Sequence, residues 1–185
     1  PYDRGKLGET FGMRAGDGFL WVVESNEGQI LKVFPDGRIE RFVDLSEGHP
    51  VPTCMAVGDD GGVFVGNLTD APYPDGTAVV HRIAPDGAES DAWTGLTMLT
   101  GLTMASDGTL FALEMSTGNT TAQPFTRPNS GRLVKQTGPD ALREVMSGLD
   151  FPIALATGSD GAFYVSGPAL GSDDAAGWIV RIDPA

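Results

Sequence analysis

Cysteine is almost missing. Cys54 is the only one in 185 residues, so no disulfide can form within the chain. It lies in the apolar stretch Thr53-Cys54-Met55-Ala56-Val57. A buried, unreactive thiol is expected there, because free cysteine commonly behaves as core. Positive charge is also scarce. Lysine occurs only at Lys6, Lys32 and Lys135, and 12 basic residues face 25 acidic ones for a net charge of −13. Such a surface repels phosphate backbones and anionic lipid, which argues against nucleic-acid and membrane-surface partners. No apolar run approaches the roughly 20 residues that span a bilayer as a helix. Histidine is limited to His49 and His81. No Ser-His-Asp order, glycine-rich phosphate loop or zinc-ligand spacing is present. The chain opens on Pro1-Tyr2-Asp3-Arg4 without an initiator methionine or a signal peptide. It reads as begun partway, after processing or as a fragment.

Glycine (26) and proline (13) are plentiful, which suits many short strands joined by many turns. One phrase recurs: an apolar run, Asp-Gly, a second apolar run. It stands at Asp17-Gly18, Asp60-Gly61, Asp107-Gly108 and Asp160-Gly161, at intervals from the low forties to the low fifties. Asp-Gly between strand-like runs predicts a two-residue hairpin, because that turn needs positive φ. The spacing, with four strand-sized segments per unit, predicts blades. The expected fold is all-β, a β-propeller of four-stranded antiparallel blades at about 11–45, 52–96, 99–149 and 151–185, within one domain spanning 1–185. The fourth unit stops before its outermost strand.

Within each unit, strand A precedes the Asp-Gly turn and is short and small, as suits a crowded axis. Strand B carries an aromatic at one position: Trp21, Phe64, Phe111 and Tyr164. A ring repeated in every unit predicts packing between blades. Strand C carries a basic column, Lys32, Arg82, Lys135 and Arg181, expected to be solvated and paired with carboxylates. Strand D alternates as a half-exposed outer strand should. The tight turns fill one face of the propeller. The other face carries the variable loops 68–77, 115–130 and 168–177, where binding usually sits. Candidate binding-face residues are His49 in a crossing near Glu47, and Phe125 and Arg127 in the longest loop.

From Pro52-Thr53 through Val65-Gly66-Asn67-Leu68-Thr69, then Tyr73-Pro74 and Val79-Val80-His81-Arg82-Ile83, the sequence resembles the ScyD/ScyE family of six-bladed propellers. The resemblance continues through Gly101-Leu102-Thr103-Met104, Leu113-Glu114 and Ser147-Gly148-Leu149-Asp150-Phe151-Pro152. It implies a secreted bacterial relative of the NHL-repeat proteins with no established enzymatic activity. Pro1-Tyr2 resembles the entry to that family's third blade, which would make these four units blades three to six.

Gluconolactonase-like propellers hold a divalent metal with carboxylate or amide side chains at the starts of their inner strands. The matching positions here are Thr10, Thr53, Thr100 and Ile153, a departure from that pattern. Glu24, Asn67 and Glu114 end strand B in three successive units on the loop face. Oxygen ligands from successive blades can gather a hard cation such as Ca²⁺. The competing reading has them holding loop amides, since equivalent positions on neighbouring blades are spread around a ring. The acidic pairs Asp59-Asp60 and Asp173-Asp174 lack the spacing of a calcium loop. Virginiamycin B lyase, also a propeller, uses histidines with a metal on such a face. His49 has no matching partner, and His81 in mid-strand is expected to be structural. Asn67 and Asn119 each begin a glycosylation sequon.

The expected function is a secreted or cell-surface binding or structural module with a protein, small-molecule or glycan partner and no cofactor, or Ca²⁺. The alternative is a metal-dependent propeller hydrolase or lyase. The open ends of the blade set are expected to be covered by additional blades or a partner chain.

Overall fold

The computed structural model describes residues 8–48, 50–171 and 176–183. Pro1-Tyr2, His49 and Asp173-Asp174 lie outside them. The described residues form an all-β propeller of four antiparallel sheets, with no helix long and apolar enough to cross a membrane. Blade 1 is β1 (Thr10–Ala15), β2 (Leu20–Glu24), β3 (Gln29–Val33) and β4 (Ile39–Asp44). Blade 2 is β5 (Pro52–Val57), β6 (Val63–Asn67), β7 (Ala78–Ile83) and β8 (Glu89–Leu96). Blade 3 is β9 (Leu99–Met104), β10 (Leu110–Glu114), β11 (Gly131–Gly138) and β12 (Ala141–Leu149). Blade 4 is β13 (Ala154–Thr157), β14 (Phe163–Gly167) and β15 (Trp178–Ile182), a three-stranded sheet among the described residues.

The Asp-Gly turns have a different length from the one expected in three blades. Only Asp17-Gly18 is a two-residue loop, closed by Gly16 N donating to Phe19 O. In blades 2 to 4 the closing pairs are Gly58–Gly62, Ala105–Thr109 and Gly158–Ala162, which leave three residues in each loop. Each glycine, Gly61, Gly108 and Gly161, sits in the left-handed region and donates its N–H to the carbonyl three residues back, on Gly58, Ala105 and Gly158. This is the three-residue hairpin with a bulge glycine. The aspartate accepts a second bond: Gly62 N on Asp60, Thr109 N on Asp107 and Ala162 N on Asp160. Those amide bonds are the main cause holding all three carboxyls below their ordinary value. Because the folded pKa is depressed, their contribution to stability is present above the unfolded value and is lost as pH falls through the lowered one.

Successive blades pack face to face through one repeated device. Trp21 packs in a core with Met55, Val63 and Val65 of blade 2. Phe64 leans on the core that holds Leu110 and Ala112 of blade 3. Phe111 meets Phe163 of blade 4 with ring centroids 4.6 Å apart, beside Val165. Three rings of the aromatic column, Trp21, Phe64 and Phe111, therefore pack between blades. Each such ring contributes about 1.5–3 kcal/mol by burial. The inner strands are also stitched by hydroxyls. Ser25 Oγ donates to Pro52 O, Thr53 Oγ1 to Leu99 O, and Thr100 Oγ1 to Pro152 O. Gly101 is required by this closeness, since a Cβ there would lie 2.6 Å from Leu155 Cβ.

The basic column divides in two. Arg82 and Arg181 pair with the turn carboxylates Asp60 and Asp160, as expected. Lys32 instead lies over the rings of Phe19, Trp21 and Phe42, and Lys135 over Phe111. In blades 1 and 3 the ammonium thus takes an aromatic face.

Among the described residues, two blade faces have no blade against them. Inner strands pack β1 on β5, β5 on β9 and β9 on β13, and no comparable packing returns from β13 to β1 among the described residues. On blade 1 the register puts Met13 opposite Val22, Leu20 opposite Val33, and Val33 opposite Ile39, all on the side away from Trp21's core. Met13 and Ile39 are about three-fifths exposed. On blade 4, Ile179 is 77% exposed, on the same side as Tyr164.

Candidate functional site

The three oxygen-bearing side chains that end strand B each hold backbone. Glu24 Oε1 accepts from Glu9 N and Asn26 N, and Oε2 from Glu27 N. Asn67 Oδ1 accepts from Val79 N at 2.7 Å. Glu114 Oε1 accepts from Thr97 N at 2.7 Å, and Oε2 pairs with the Arg132 guanidinium on the neighbouring strand. All three are buried, Glu114 completely. Each ties the start of one loop or crossing to its own blade. Burial pushes the Glu114 carboxyl above its ordinary value, against the lowering effect of Arg132.

Backbone amides and Arg132 already engage the oxygens of this set. No group of three or more His, Cys, Asp or Glu side chains stands close enough to hold a metal ion among the described residues. The inner-strand positions are no better suited. Thr53 and Thr100 spend their hydroxyls on the next blade's carbonyls, and Ile153 offers no donor. The channel cavity of 140 Å³ is lined by these residues and by Arg14, the one charged side chain at its wall among the described residues. Arg14 donates to Met13 O and reaches Leu102 O at 3.1 Å. A guanidinium there opposes a hard cation rather than attracting one.

The loop face is built on a second set of contacts. Asp75, in the blade 2 loop, accepts from Gly118 N and Asn119 N of the blade 3 loop at 2.7 and 3.2 Å. Asn119 in turn donates through Nδ2 to Tyr73 O, and its Oδ1 accepts from Ser116 Oγ. The two loops therefore form one ledge. Phe125 is half-buried at positive φ, and Arg127 is exposed, its backbone N–H held by Ser116 Oγ. Of the two sequon asparagines, Asn67 is buried and Asn119 half-buried. His81 Nδ1 lies 3.0 Å from Asp91 on the adjacent strand, a structural contact. The Cys54 thiol is buried and pushed up to about 12 by desolvation, which makes it unreactive.

Three residues that matter here have no signature in the sequence. Asp75 sits in an ordinary Pro-Asp-Gly turn, Arg132 in a strand read only for its other basic column, and Arg14 in a strand of small residues. The arrangement of the blades gives Asp75 and Arg14 their partners, and the register of β10 on β11 gives Arg132 its own.

No protein-family model and no curated protein matches the chain. Solved structures do. A catalytically inactive virginiamycin B lyase from Staphylococcus aureus, solved with quinupristin, superposes with a TM-score of 0.61 at 20% identity over 95% of this chain and 53% of that one. A streptogramin B lyase gives 0.58 at 17% identity, over 84% of this chain and 47% of that one. A gluconolactonase from Xanthomonas campestris gives 0.59 at 16% identity, over 80% of this chain and 50% of that one. The chain spans about half the length of these structures. At these identities the likeness is one of fold alone, a β-propeller.

Proposed function

We propose that these four blades are an arc of a larger ring, of the six-bladed ScyD/ScyE kind, that serves outside the cell or at its surface as a binding module for a protein, small molecule or glycan. The observation that carries the ring is the pair of unpartnered faces. By register, Leu20 and Val22 occupy the places of Val63 and Val65, which in blade 2 receive the preceding blade's ring. Tyr164 occupies the place of Trp21, Phe64 and Phe111, each of which packs on a following blade. The two end faces are thus the two halves of the interface that already recurs three times within the chain. Intact-mass measurement of the protein from its native source is expected to exceed 19.4 kDa, with further repeats of the same pattern. A native polypeptide of that mass, monomeric in solution, counts against the ring.

What supports binding rather than chemistry is that the strand-end oxygens and channel threonines are engaged by backbone. The metal-dependent hydrolase or lyase remains the second reading, favoured by the named activities of the structural neighbours. Calorimetric titration with Ca²⁺ and with Mn²⁺ separates the two. No stoichiometric binding is expected. Tight binding that disappears in Glu24→Gln would transfer the proposal to the metal enzyme.

A further inference from the structure

Blade 1 carries two aromatic residues that packing between blades does not require. Phe19 follows the Asp-Gly turn, where blades 2, 3 and 4 have Gly62, Thr109 and Ala162. Phe42 is the extra residue of the bulge in β4, where β8 has Ala92 and β12 has Val145. Blades 2 and 3 seat their followers with those smaller side chains. Together with Trp21, the two phenylalanines make three walls of a box. Each stands 4.9 Å from Trp21, Phe19 at 78° and Phe42 at 70° to its plane. Phe19 is braced by Phe34 at 5.6 Å and lies on Gly16, where a Cβ would come within 2.7 Å of the ring.

The box already holds a cation. Lys32 Nζ lies 5.0, 4.8 and 4.6 Å from the ring centroids of Phe19, Trp21 and Phe42. Arg82 and Arg181 of the same column have carboxylate partners, and Lys32 has none among the described residues. Its three N–H donors find no protein acceptor there either. An ammonium is strongly hydrated and gives up water to sit among rings. A quaternary ammonium has no N–H to leave unmatched and turns methyl groups to the same π faces, so three rings favour it. Beside the box a cavity of 390 Å³ opens between blades 1 and 2, a volume typical of small-molecule sites. Val57 and Pro85 of blade 2 line it opposite the rings. Asp17 and Asp59 also line it, exposed and paired with no base among the described residues. An anion drawn to Lys32 would meet both carboxylates, whereas a cation is attracted by them.

We propose that this box binds a small quaternary ammonium compound of the choline class. The trimethylammonium group takes the place of the Lys32 ammonium between Phe19, Trp21 and Phe42. Lys32 swings out on its flexible stem, and the ligand's hydroxyl end lies toward Asp17 and Asp59. Lys32 is therefore a built-in competitor that holds the box until the ligand arrives. The proposal rests on the binding reading above and gives it a ligand class. All its walls belong to blades 1 and 2, so its failure leaves the ring, which is read from the native mass, untouched.

The test is a titration of the ¹⁵N-labelled chain with choline chloride at constant ionic strength, followed by NMR. The control is the neutral carbon analogue of choline, with a tert-butyl group in place of trimethylammonium. Saturable shifts are expected at the Trp21 indole N–H and at the amides of residues 16–19 and 57–59, with the analogue bound about tenfold more weakly. Lys32→Ala empties the box of its own cation and is expected to tighten choline binding about tenfold, as removal of a competing closed state does. A lysine that only stabilises the blade interface predicts no such gain. Phe19→Thr gives blade 1 the residue that blade 3 carries there, and Phe42→Ala the one that blade 2 carries. Each is expected to weaken binding about tenfold, and the second serves if the first does not fold. Four outcomes would overturn the proposal: no saturable shift in the parent chain, equal binding of the analogue, no gain in Lys32→Ala, or undiminished binding in a folded phenylalanine variant.

Discussion

Glu114→Ala is expected to cost about 3–5 kcal/mol of stability, the range for breaking a buried ion pair from one side. On a chain of this length that is a fall of about 6–20 °C in melting temperature. Glu114 is fully buried at the end of β10 and joins three pieces of chain. Thr97 N, between β8 and β9, loses its acceptor. Arg132, only 25% exposed, loses its counter-charge. The emptied volume lies beneath the loop ledge. Glu114→Gln is the informative control. It keeps an oxygen for Thr97 N and fills the space, so its loss should stay below about 2 kcal/mol. The pH behaviour follows from the raised carboxyl. An acid whose folded pKa lies above its unfolded value contributes most below the unfolded value, and that contribution declines as pH rises through the folded one. The alanine variant removes the acceptor at every pH, so its deficit should persist from pH 5 to pH 8. Thermal melts by circular dichroism within about 2 °C of the parent would sink this account.

Much of the architecture was legible because a propeller writes its geometry at a fixed place in each repeat. The four Asp-Gly steps mark the hairpins between inner strands, and Trp21, Phe64 and Phe111 mark the surfaces between blades. Even so, the turn at Asp60 is one residue longer than the one at Asp17, and the dipeptide is the same in both. Loop length depends on where the flanking strands begin to pair, and pairing is set by the sheet. Lys32 illustrates the same limit. Its column suggests a carboxylate partner, yet it lies over three rings, because blade 1's shorter turn and its extra aromatics Phe19 and Phe42 make the nearer attraction. The candidate site was less legible. Glu24, Asn67 and Glu114 stand out in the sequence as a repeated feature. Whether repeated oxygens gather an ion or hold amides depends on the direction of each side chain, which spacing does not encode.

Trp93→Ala should be comparably damaging, at about 3–5 kcal/mol, for a purely apolar reason. An outer strand is expected to be half-exposed, and β8 is so over its first residues. Then it turns its ring fully inward at Trp93, into the core shared by blades 2 and 3. That core also holds Val80, Leu96, Leu102 and Val134, so the vacated space would be walled by four strands of two sheets and could not easily collapse. The backbone around it is pinned as well. Thr94 N donates to Pro139 O, and Gln136 Nε2 to Ala92 O, which fastens β8 to blade 3 and blocks inward movement. The indole carries one liability, since its Nε1 has no acceptor among the described residues. Trp93→Phe removes that orphan donor while keeping most of the ring. The lost volume and the relieved polar group oppose each other, and a net cost of about 1–2 kcal/mol is expected. Urea titrations of the two variants read the comparison directly. Equal losses for phenylalanine and alanine would mean that the indole nitrogen has a partner in solution, and a stable alanine variant would mean that the interface between blades 2 and 3 closes over the gap.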